Sequence, residues 1–156
     1  MTTDQEYEEF AVARTPQLYR SAWLLCGDRH GAEDLVQETL AKVFVRWRRI
    51  DSPAAYAQTT LVRTFLSQRR RKSNHELPYA DLPDAAGSDP TEASDLRLML
   101  QEVLAGLAPL DRAVLVLRYS DDLSVEDVAL RLGLSPGAVK NRSMRALERA
   151  RERTPR

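Results

Sequence analysis

The sequence predicts an all-α protein. Residues that favour helices dominate it, and the apolar/polar alternation of β-branched residues that marks strands is nearly absent. Apolar residues instead recur three and four positions apart in several separate stretches, most of which open with a capping residue or a proline. We therefore expect two small helical domains, residues 1–73 and 93–156, joined by a flexible linker over residues 74–92.

The formal net charge is zero, but the charges are unevenly distributed along the 156 residues. Residues 1–73 carry 12 basic and 9 acidic side chains, residues 74–95 carry 6 acidic and no basic ones, and residues 96–156 carry 11 basic and 8 acidic ones. An acidic segment, residues 74–95, thus separates two mildly basic regions of the chain. Since a polyanion responds to the local patch of charge, the zero total does not exclude a nucleic-acid-binding function.

The pattern of reactive residues argues against an enzyme. Cys26 is the only cysteine, so we expect neither a disulfide framework nor a thiolate metal cluster. A metal-dependent hydrolase would need converging carboxylates, but those here lie on solvated helix faces or in the linker, so we expect no catalytic residue, metal or cofactor. The N-terminus is acidic and the longest apolar run, Ala113 to Leu117, is short. This predicts a cytoplasmic protein without a secretion signal or membrane insertion.

The N-terminal domain begins with a helical region from about Gln5 to Leu25, in which Thr15-Pro16 marks a kink or a restart. Asp28 opens the second helix. Its apolar residues recur at helical spacing and predict one buried face: Ala32, Leu35, Val36, Leu40, Val43, Phe44 and Trp47. On the other face, acidic residues near the start and basic residues near the end suit the helix dipole, as in any solvated amphipathic helix. One side of this helix, however, carries three hydrogen-bond acceptors close together, Asp34, Gln37 and Glu38. This arrangement favours docking on a basic partner surface.

The third helix begins at Ser52-Pro53, a capping hydroxyl followed by proline. Its outer side collects one aromatic residue, two hydroxyls and three guanidinium groups: Tyr56, Thr60, Arg63, Ser67, Arg70 and Arg71. Such a row can stack unpaired bases and neutralise their phosphates, so it is a candidate track for single-stranded DNA. The linker that follows is rich in Pro, Asp, Ala, Gly and Ser. Its residues could reach roughly 65 Å when extended, farther than one turn of DNA.

The C-terminal domain is organised around a helix-turn-helix from Leu123 to Arg151. Ser124 caps its first helix and Asp127 completes a capping box, Gly133 ends that helix, and Ser135-Pro136 begins the next. Two preceding amphipathic helices, over residues 96–107 and 109–118, should cover its apolar stripes.

The last helix has two different sides on a helical wheel. One side carries small and apolar residues for packing: Val139, Ser143, Ala146, Leu147 and Ala150. The other carries cations and an amide, with Lys140, Asn141, Met144, Arg145, Glu148 and Arg149. Cations suit phosphates, and amide or guanidinium groups suit base edges in the major groove. An exposed C-terminal helix alone would explain the charge, but the caps, the glycine turn and the two stripes together favour DNA binding.

Three stretches resemble the extracytoplasmic-function sigma factors of bacterial RNA polymerase, and look closest to the SigE-like group of actinobacteria. They are DRHGAEDLVQETLAKVFVRWRRI from position 28, SPAAYAQTTLVRTFLSQRRR from position 52 and LAPLDRAVLVLRYSDDLSVEDVALRLGLSPGAVKNRSMRALERAR from position 107. Their order and spacing follow that family across nearly the whole chain outside the linker. The resemblance implies a sigma-2 domain, a linker and a sigma-4 domain with the helix-turn-helix.

The resemblance also implies roles for particular residues. Asp34, Leu35, Gln37 and Glu38 would dock on the clamp helices of the polymerase's largest subunit, and the third helix would melt and read the −10 element. The sigma-4 domain would contact the flap of the second-largest subunit and the −35 element. Its candidate DNA-binding residues are Ser135, Pro136, Gly137, Lys140, Asn141, Met144, Arg145 and Arg149. Core RNA polymerase and promoter DNA are the implied partners, and an anti-sigma factor is a further one that the sequence leaves open.

A stand-alone helix-turn-helix regulator is the strongest alternative, because response-regulator output domains share a very similar recognition helix. Such regulators usually carry a receiver domain or form symmetric dimers. The N-terminal half of this chain lacks the β/α pattern of a receiver, which favours the sigma-factor interpretation.

Overall fold

The computed structural model describes residues 2–74 and 95–153, and these residues form helices joined by short turns and loops, with no strand among them. The predicted all-α class is confirmed. Almost all of the predicted linker falls on residues 75–94, outside the described ranges. The helices are α1 (Thr3–Cys26), α2 (Arg29–Val45), α3 (Pro53–Asn74), α4 (Asp95–Ala105), α5 (Pro109–Leu115), α6 (Val125–Leu132) and α7 (Pro136–Arg153). Among them, none is both long enough and apolar enough to cross a bilayer.

Local chemistry accounts for the ends of the first helices. Thr2 and Gln5 form a reciprocal capping box at the start of α1. Gly27 ends α1 in the left-handed region at φ 81°, where a side chain would be strained. The Asp28 Oδ1 atom then accepts a hydrogen bond of 2.6 Å from the Gly31 amide, so Asp28 caps α2 as predicted.

The proline in α1 does not restart the helix. α1 runs without interruption through Pro16, so of the expected kink or restart at Thr15-Pro16 the restart does not occur. Pro16 has no amide hydrogen to donate to the preceding turn. Beside it, the hydroxyl of Thr15 donates to the Ala11 carbonyl at 2.6 Å, which adds a side-chain hydrogen bond to this turn.

The first three helices pack side by side, with a cluster of aromatic rings at one end. The Tyr7 hydroxyl donates to the Leu40 carbonyl at 2.9 Å, and its ring meets Phe44 and Trp47 edge-on. Trp47 lies in a single 3-10 turn, Trp47–Arg49, that follows α2. Phe44 was predicted to be core but is 51% exposed, because its ring lies over the edge of Tyr7 at the open end of the bundle.

We call residues 2–74 the first half of the chain and residues 95–153 the second half. In the second half, α7 packs against α5 and α6. The predicted helix through Arg118 is instead divided, since α5 ends at Leu115 and a five-residue π-helical segment follows, Val116–Ser120. The Arg118 guanidinium donates to the Leu123 carbonyl at 2.7 Å and holds the segment after it. An ion pair of 2.9 Å between Arg142 and Asp111 ties α7 to α5.

The two halves share one hydrophobic core. It includes Leu25 and Phe65 from the first half and Val114 and Leu117 from the second. Arg112 lies within this core at 7% exposure. Its guanidinium donates to the Leu25 carbonyl at 2.6 Å, in the last turn of α1, where the helix dipole favours a cation.

Arg112 also contacts a carbonyl of the second half, to which it belongs, and the aromatic ring of Phe65. It donates to the Leu107 carbonyl at 3.0 Å, and its guanidinium carbon lies 5.7 Å from the centre of the Phe65 ring. Burial, with a smaller effect of Arg69, lowers the pKa of Arg112 to about 10. A buried cation thus joins a carbonyl of the first half to a carbonyl of the second.

Polar contacts surround this core at its edge. The Ser21 hydroxyl donates to Asp121 Oδ1 at 2.9 Å, the Arg63 Nε–H donates to the Arg131 carbonyl at 2.8 Å, and the Arg131 guanidinium donates to Gln58. Burial raises the pKa of the Asp121 carboxyl, while hydrogen bonds to Ser21 and Gln58 oppose the rise.

Replacing Asp121 with Asn should remove the cost of burying that charge. Because the pKa of Asp121 is raised above 3.8 in the fold, this carboxyl favours folding most below pH 3.8, and its contribution is lost as the pH rises through the folded value. We expect Asp121→Asn to match the parent protein at acid pH and to exceed its stability at neutral pH. Urea unfolding across this pH range measures the difference. The exposed Asp51→Asn is the control, and an equal pH response of both variants would contradict the assignment.

Candidate nucleic-acid and partner interfaces

The turn of the helix-turn-helix forms at the predicted residues. The Ser124 hydroxyl accepts from the Asp127 amide at 3.1 Å, which is the first half of the predicted capping box. Gly133 ends α6 with φ 69° and ψ 34°, and its amide donates to the Ala129 carbonyl. The Ser135 hydroxyl then accepts from the Ala138 amide at 3.1 Å and starts α7. The exit from α6 and the entry to α7 are therefore both fixed by local hydrogen bonds.

The two sides of α7 are those predicted from the helical wheel. Val139, Ser143 and Ala146 are buried against the rest of the second half. All eight residues predicted to contact duplex DNA are exposed: Ser135, Pro136, Gly137, Lys140, Asn141, Met144, Arg145 and Arg149. Because Arg142 is held by Asp111, it serves to position α7, and its cation does not belong to the exposed face. The exposed face therefore carries three cations, Lys140, Arg145 and Arg149, and the amide of Asn141, groups that can bind phosphates and base edges.

The acidic face of α2 is partly as predicted. Asp34 and Gln37 are exposed. Glu38 is only half exposed, since it accepts from Gln68 Nε2 at 3.2 Å and its carboxylate lies 3.9 Å from Lys42 Nζ. Leu35 is fully buried in the core, so its predicted place on the docking surface is wrong. Its side chain supports the face from beneath.

The structure adds two residues to this face that the sequence reasoning missed. Ala41 and Val45 are exposed on the same side of α2 as Asp34, and Val45 is 81% exposed. The spacing 34, 38, 41, 45 is the signal that could have found them, because it follows one stripe of a helix. We call the exposed side chains of Asp34, Gln37, Ala41 and Val45 the α2 stripe.

The candidate single-strand track on α3 is unevenly accessible. Arg63, Arg70 and Arg71 are exposed, whereas Tyr56, Thr60 and Ser67 are half buried. The Arg63 guanidinium is also engaged, since its Nε–H donates to the Arg131 carbonyl of α6. The track is therefore most open at its C-terminal end, and the second half contacts it at Arg63 without burying that side chain.

A cleft of about 480 Å³ lies at the open end of the first bundle. It is lined by the start of α1 and by residues Phe44, Val45, Arg46, Trp47, Arg48 and Arg49. Two aromatic rings next to three exposed arginines suit a base and its phosphates. From sequence, these arginines were explained by the helix dipole, because nothing in the one-dimensional pattern places them around a cleft.

Metal and thiol chemistry find no support in the described residues. Within residues 2–74 and 95–153, no group of three His, Cys, Asp or Glu side chains is placed to hold a metal ion. Burial raises the pKa of the Cys26 thiol to about 11, so it stays protonated and unreactive at neutral pH.

Family comparisons agree with this arrangement of a helical bundle followed by a helix-turn-helix. The family profile described as Sigma-70 region 2 matches residues 11–75, and the one described as Sigma-70, region 4 matches residues 97–149. Both occur in the expected order and together cover most of the chain. The chain therefore belongs to the sigma-70 family, in its extracytoplasmic-function group.

Individual relatives are similar along nearly the full length. The RNA polymerase sigma-E factor of Streptomyces coelicolor is 38% identical over 150 residues, which cover 94% of this chain and 85% of that protein. The sigma factor SigL of Mycobacterium tuberculosis is 31% identical over 144 residues, covering 87% and 79%. Among solved structures, the sigma factor RpoE of Bartonella quintana, in complex with the anti-sigma factor NepR, matches with a TM-score of 0.74 at 25% identity over 96% of both chains.

Two glycines provide a matched test of the helix-turn-helix geometry. Gly133 has a left-handed backbone, so Gly133→Ala should destabilise the fold by about 1 kcal/mol. Gly137 lies in the first turn of α7 with open space around an added Cβ, so Gly137→Ala should stabilise it by about 0.5 kcal/mol. Chemical denaturation measures both. Equal effects of the two substitutions would mean that the turn does not require its left-handed residue.

Proposed function

We propose that this protein is a transcription initiation factor that binds core RNA polymerase and directs it to promoters through −10 and −35 contacts. The observation that carries the proposal is the capped α7 helix, which presents three exposed cations next to an amide, in a chain that also matches the Sigma-70 region 2 profile over residues 11–75. The protein would bind the polymerase and position it on DNA, and we propose no catalytic step for it. The protein would act in the cytoplasm, with the polymerase and the chromosome.

Transcription from genomic DNA fragments with purified core polymerase tests the proposal directly. Core polymerase with the protein should start RNA at discrete positions that core polymerase alone does not use. Unchanged start sites would rule out the initiation role. A stand-alone regulator is the alternative, favoured by the full exposure of the α7 face in the free chain. Tight sequence-specific DNA binding without polymerase would support that alternative.

The α2 stripe is our proposed docking surface for the clamp helices of the largest polymerase subunit. It combines the exposed carboxylate of Asp34 with the exposed apolar side chain of Val45. A charge gives orientation and an apolar residue gives area that can be buried, so both ends of the stripe contribute to a protein interface. The second half would contact the flap of the second-largest subunit.

The α3 track and the 480 Å³ cleft together are our proposed surface for the −10 element. The track supplies Arg70 and Arg71 for phosphates, and the cleft supplies Trp47 and Arg48 at the other end of the bundle. Bases that leave the duplex need aromatic partners to replace their stacking, and phosphates need cations. Duplex −35 DNA would instead meet the exposed face of α7, which suits a major groove.

An anti-sigma factor is a further proposed partner. The matched RpoE structure contains the anti-sigma factor NepR, and the match extends over 96% of this chain. A protein partner of this class could recognise the same arrangement of the two halves here. Co-purification of the protein from its native cells would identify such a partner.

Charge reversal on the α2 stripe should weaken polymerase binding without unfolding the protein. Asp34 is exposed on α2, so Asp34→Arg leaves the core intact but opposes a basic partner. We expect the Kd for core polymerase to rise by at least about tenfold. Fluorescence anisotropy measures binding, and circular dichroism checks the fold. Glu8→Arg, an equal charge change on exposed α1, is the matched control, and equal losses in both would remove the docking assignment.

Removing cations from α7 should weaken duplex binding and its salt dependence. We expect Lys140→Ala and Arg145→Ala each to lower the slope of log K against log salt by about 1, provided that each neutralises a phosphate. Promoter binding by the holoenzyme at several salt concentrations measures the slopes. Arg151→Ala, near the end of α7, is the control with the same charge change. Polymerase affinity should stay constant, and its loss together with DNA binding would contradict the groove assignment.

A further inference from the structure

One exposed side chain of α7 differs in character from those around it. Met144 is 61% exposed in the middle of the helix, on the side away from the buried Val139. On a helical wheel of about 100° per residue it lies between Lys140 and Asn141 of the preceding turn, and Arg145 follows it in the chain. An apolar side chain is thus surrounded by two cations and an amide.

The polar neighbours of Met144 are available to a partner. Within the part of the chain that the structure describes, the side chains of Lys140, Asn141 and Arg145 make no hydrogen bond or ion pair. Arg142 on the same helix, by contrast, is held by Asp111. A partner that covers Met144 must therefore also satisfy two cations and an amide, which favours an anionic partner.

A second exposed apolar residue shows that exposure alone does not identify a site. Leu130 of α6 is 80% exposed, more than Met144. It lies one turn after Glu126 and Asp127, whose exposed carboxylates would repel phosphates. Isolated apolar side chains are common on protein surfaces. What distinguishes Met144 is therefore the charge around it.

Duplex DNA offers both kinds of group that this part of α7 requires. Lys and Arg side chains bind its phosphates, and the major groove contains one apolar group, the C5 methyl of thymine. An Asn side chain binds adenine there through two hydrogen bonds. Asn141 and Met144 are three residues apart, so their Cβ atoms lie about 5–6 Å apart, while adjacent base pairs are about 3.4 Å apart. The two side chains can therefore reach the same base pair or neighbouring ones.

We propose that Met144 is a specificity-determining residue that contacts the methyl group of a thymine in the −35 element, beside an adenine bound by Asn141. The flexible, polarisable side chain of methionine suits such a contact, and the other three bases carry no methyl group at this position. This inference deepens the proposed function of α7 and rests on it. Its test is separate from that of the initiation role, because it removes one methyl group from DNA on which the parent holoenzyme already starts RNA.

Deoxyuridine scanning of the −35 element tests the contact. Each thymine of a promoter mapped with the parent holoenzyme is replaced in turn by deoxyuridine, which pairs in the same way but lacks the methyl group. We expect the parent to bind about fourfold more weakly when one thymine, or either of two neighbouring thymines, is replaced, as for one methyl group lost from an apolar contact. Met144→Ala should bind the unmodified promoter at least about fourfold more weakly and should not respond to deoxyuridine at that position. Met144→Leu keeps an apolar side chain and should respond like the parent.

Two controls separate this contact from other effects. Leu130→Ala removes an exposed apolar side chain from α6, and it should bind and respond to deoxyuridine like the parent. The slope of log K against log salt should be the same for Met144→Ala and the parent, because no charge changes. Circular dichroism checks the fold of each variant. If Met144→Ala does not fold, the polar Met144→Gln, of similar length, takes its place and the same outcomes decide.

Three results would overturn the proposal. They are a parent holoenzyme that is insensitive to deoxyuridine throughout the −35 element, a Met144→Ala variant as sensitive as the parent, and a loss of polymerase affinity in Met144→Ala that accounts for its weaker promoter binding. The last result would place Met144 at a protein contact instead. If the parent holoenzyme starts RNA at no discrete promoter, the initiation role is rejected and this contact with it, so the two failures are distinguishable.

Discussion

Burial of the Arg112 guanidinium is the interaction on which the arrangement of the two halves depends. A cation within a shared apolar core is tolerated only where hydrogen-bond acceptors replace water, and here the carbonyls of Leu25 and Leu107 do so. One of these carbonyls belongs to each half. Moving the halves apart therefore removes an acceptor from Arg112 and returns its charge to solvent at the same time. The same residue makes this arrangement of the two halves specific and limits its stability.

A protein with no net charge can still carry its positively and its negatively charged binding surfaces on different helices. The exposed cations lie on α7 and α3, whereas the exposed carboxylate of Asp34 lies on α2, and each helix buries one side and leaves the other to solvent. Residues that the sequence places close together, such as Glu38 and Lys42, use their charges on each other and on Thr64 and Gln68. The charges left for partners are those that no neighbour engages, and only the packed structure distinguishes the two groups.

Whether a prediction agrees with the structure depends on how far apart in the chain the interacting residues lie. Caps and turns were predicted at the right residues, including Asp28, Gly133 and Ser135, because they depend on hydrogen bonds between residues about three positions apart. Of the kink or restart predicted at Thr15-Pro16, the restart does not occur, since packing of α1 on its neighbours outweighs the loss of one backbone hydrogen bond. The exposure of Phe44 was missed, because helical periodicity shows which side a residue is on but not where the neighbouring helix ends.

The sequence by itself determined the helical class, the ends of the helices, the two sides of α7 and membership of the family. All four depend on the spacing of residues and on local motifs. The tertiary structure alone decided that Leu35 is buried, that Val45 extends the α2 stripe, that three arginines line a cleft and that α6 contacts α3 at Arg63. These facts depend on contacts between residues far apart in the chain. Arg63 and Arg131 are 68 positions apart, and no periodic pattern links two such positions until the helices between them are packed.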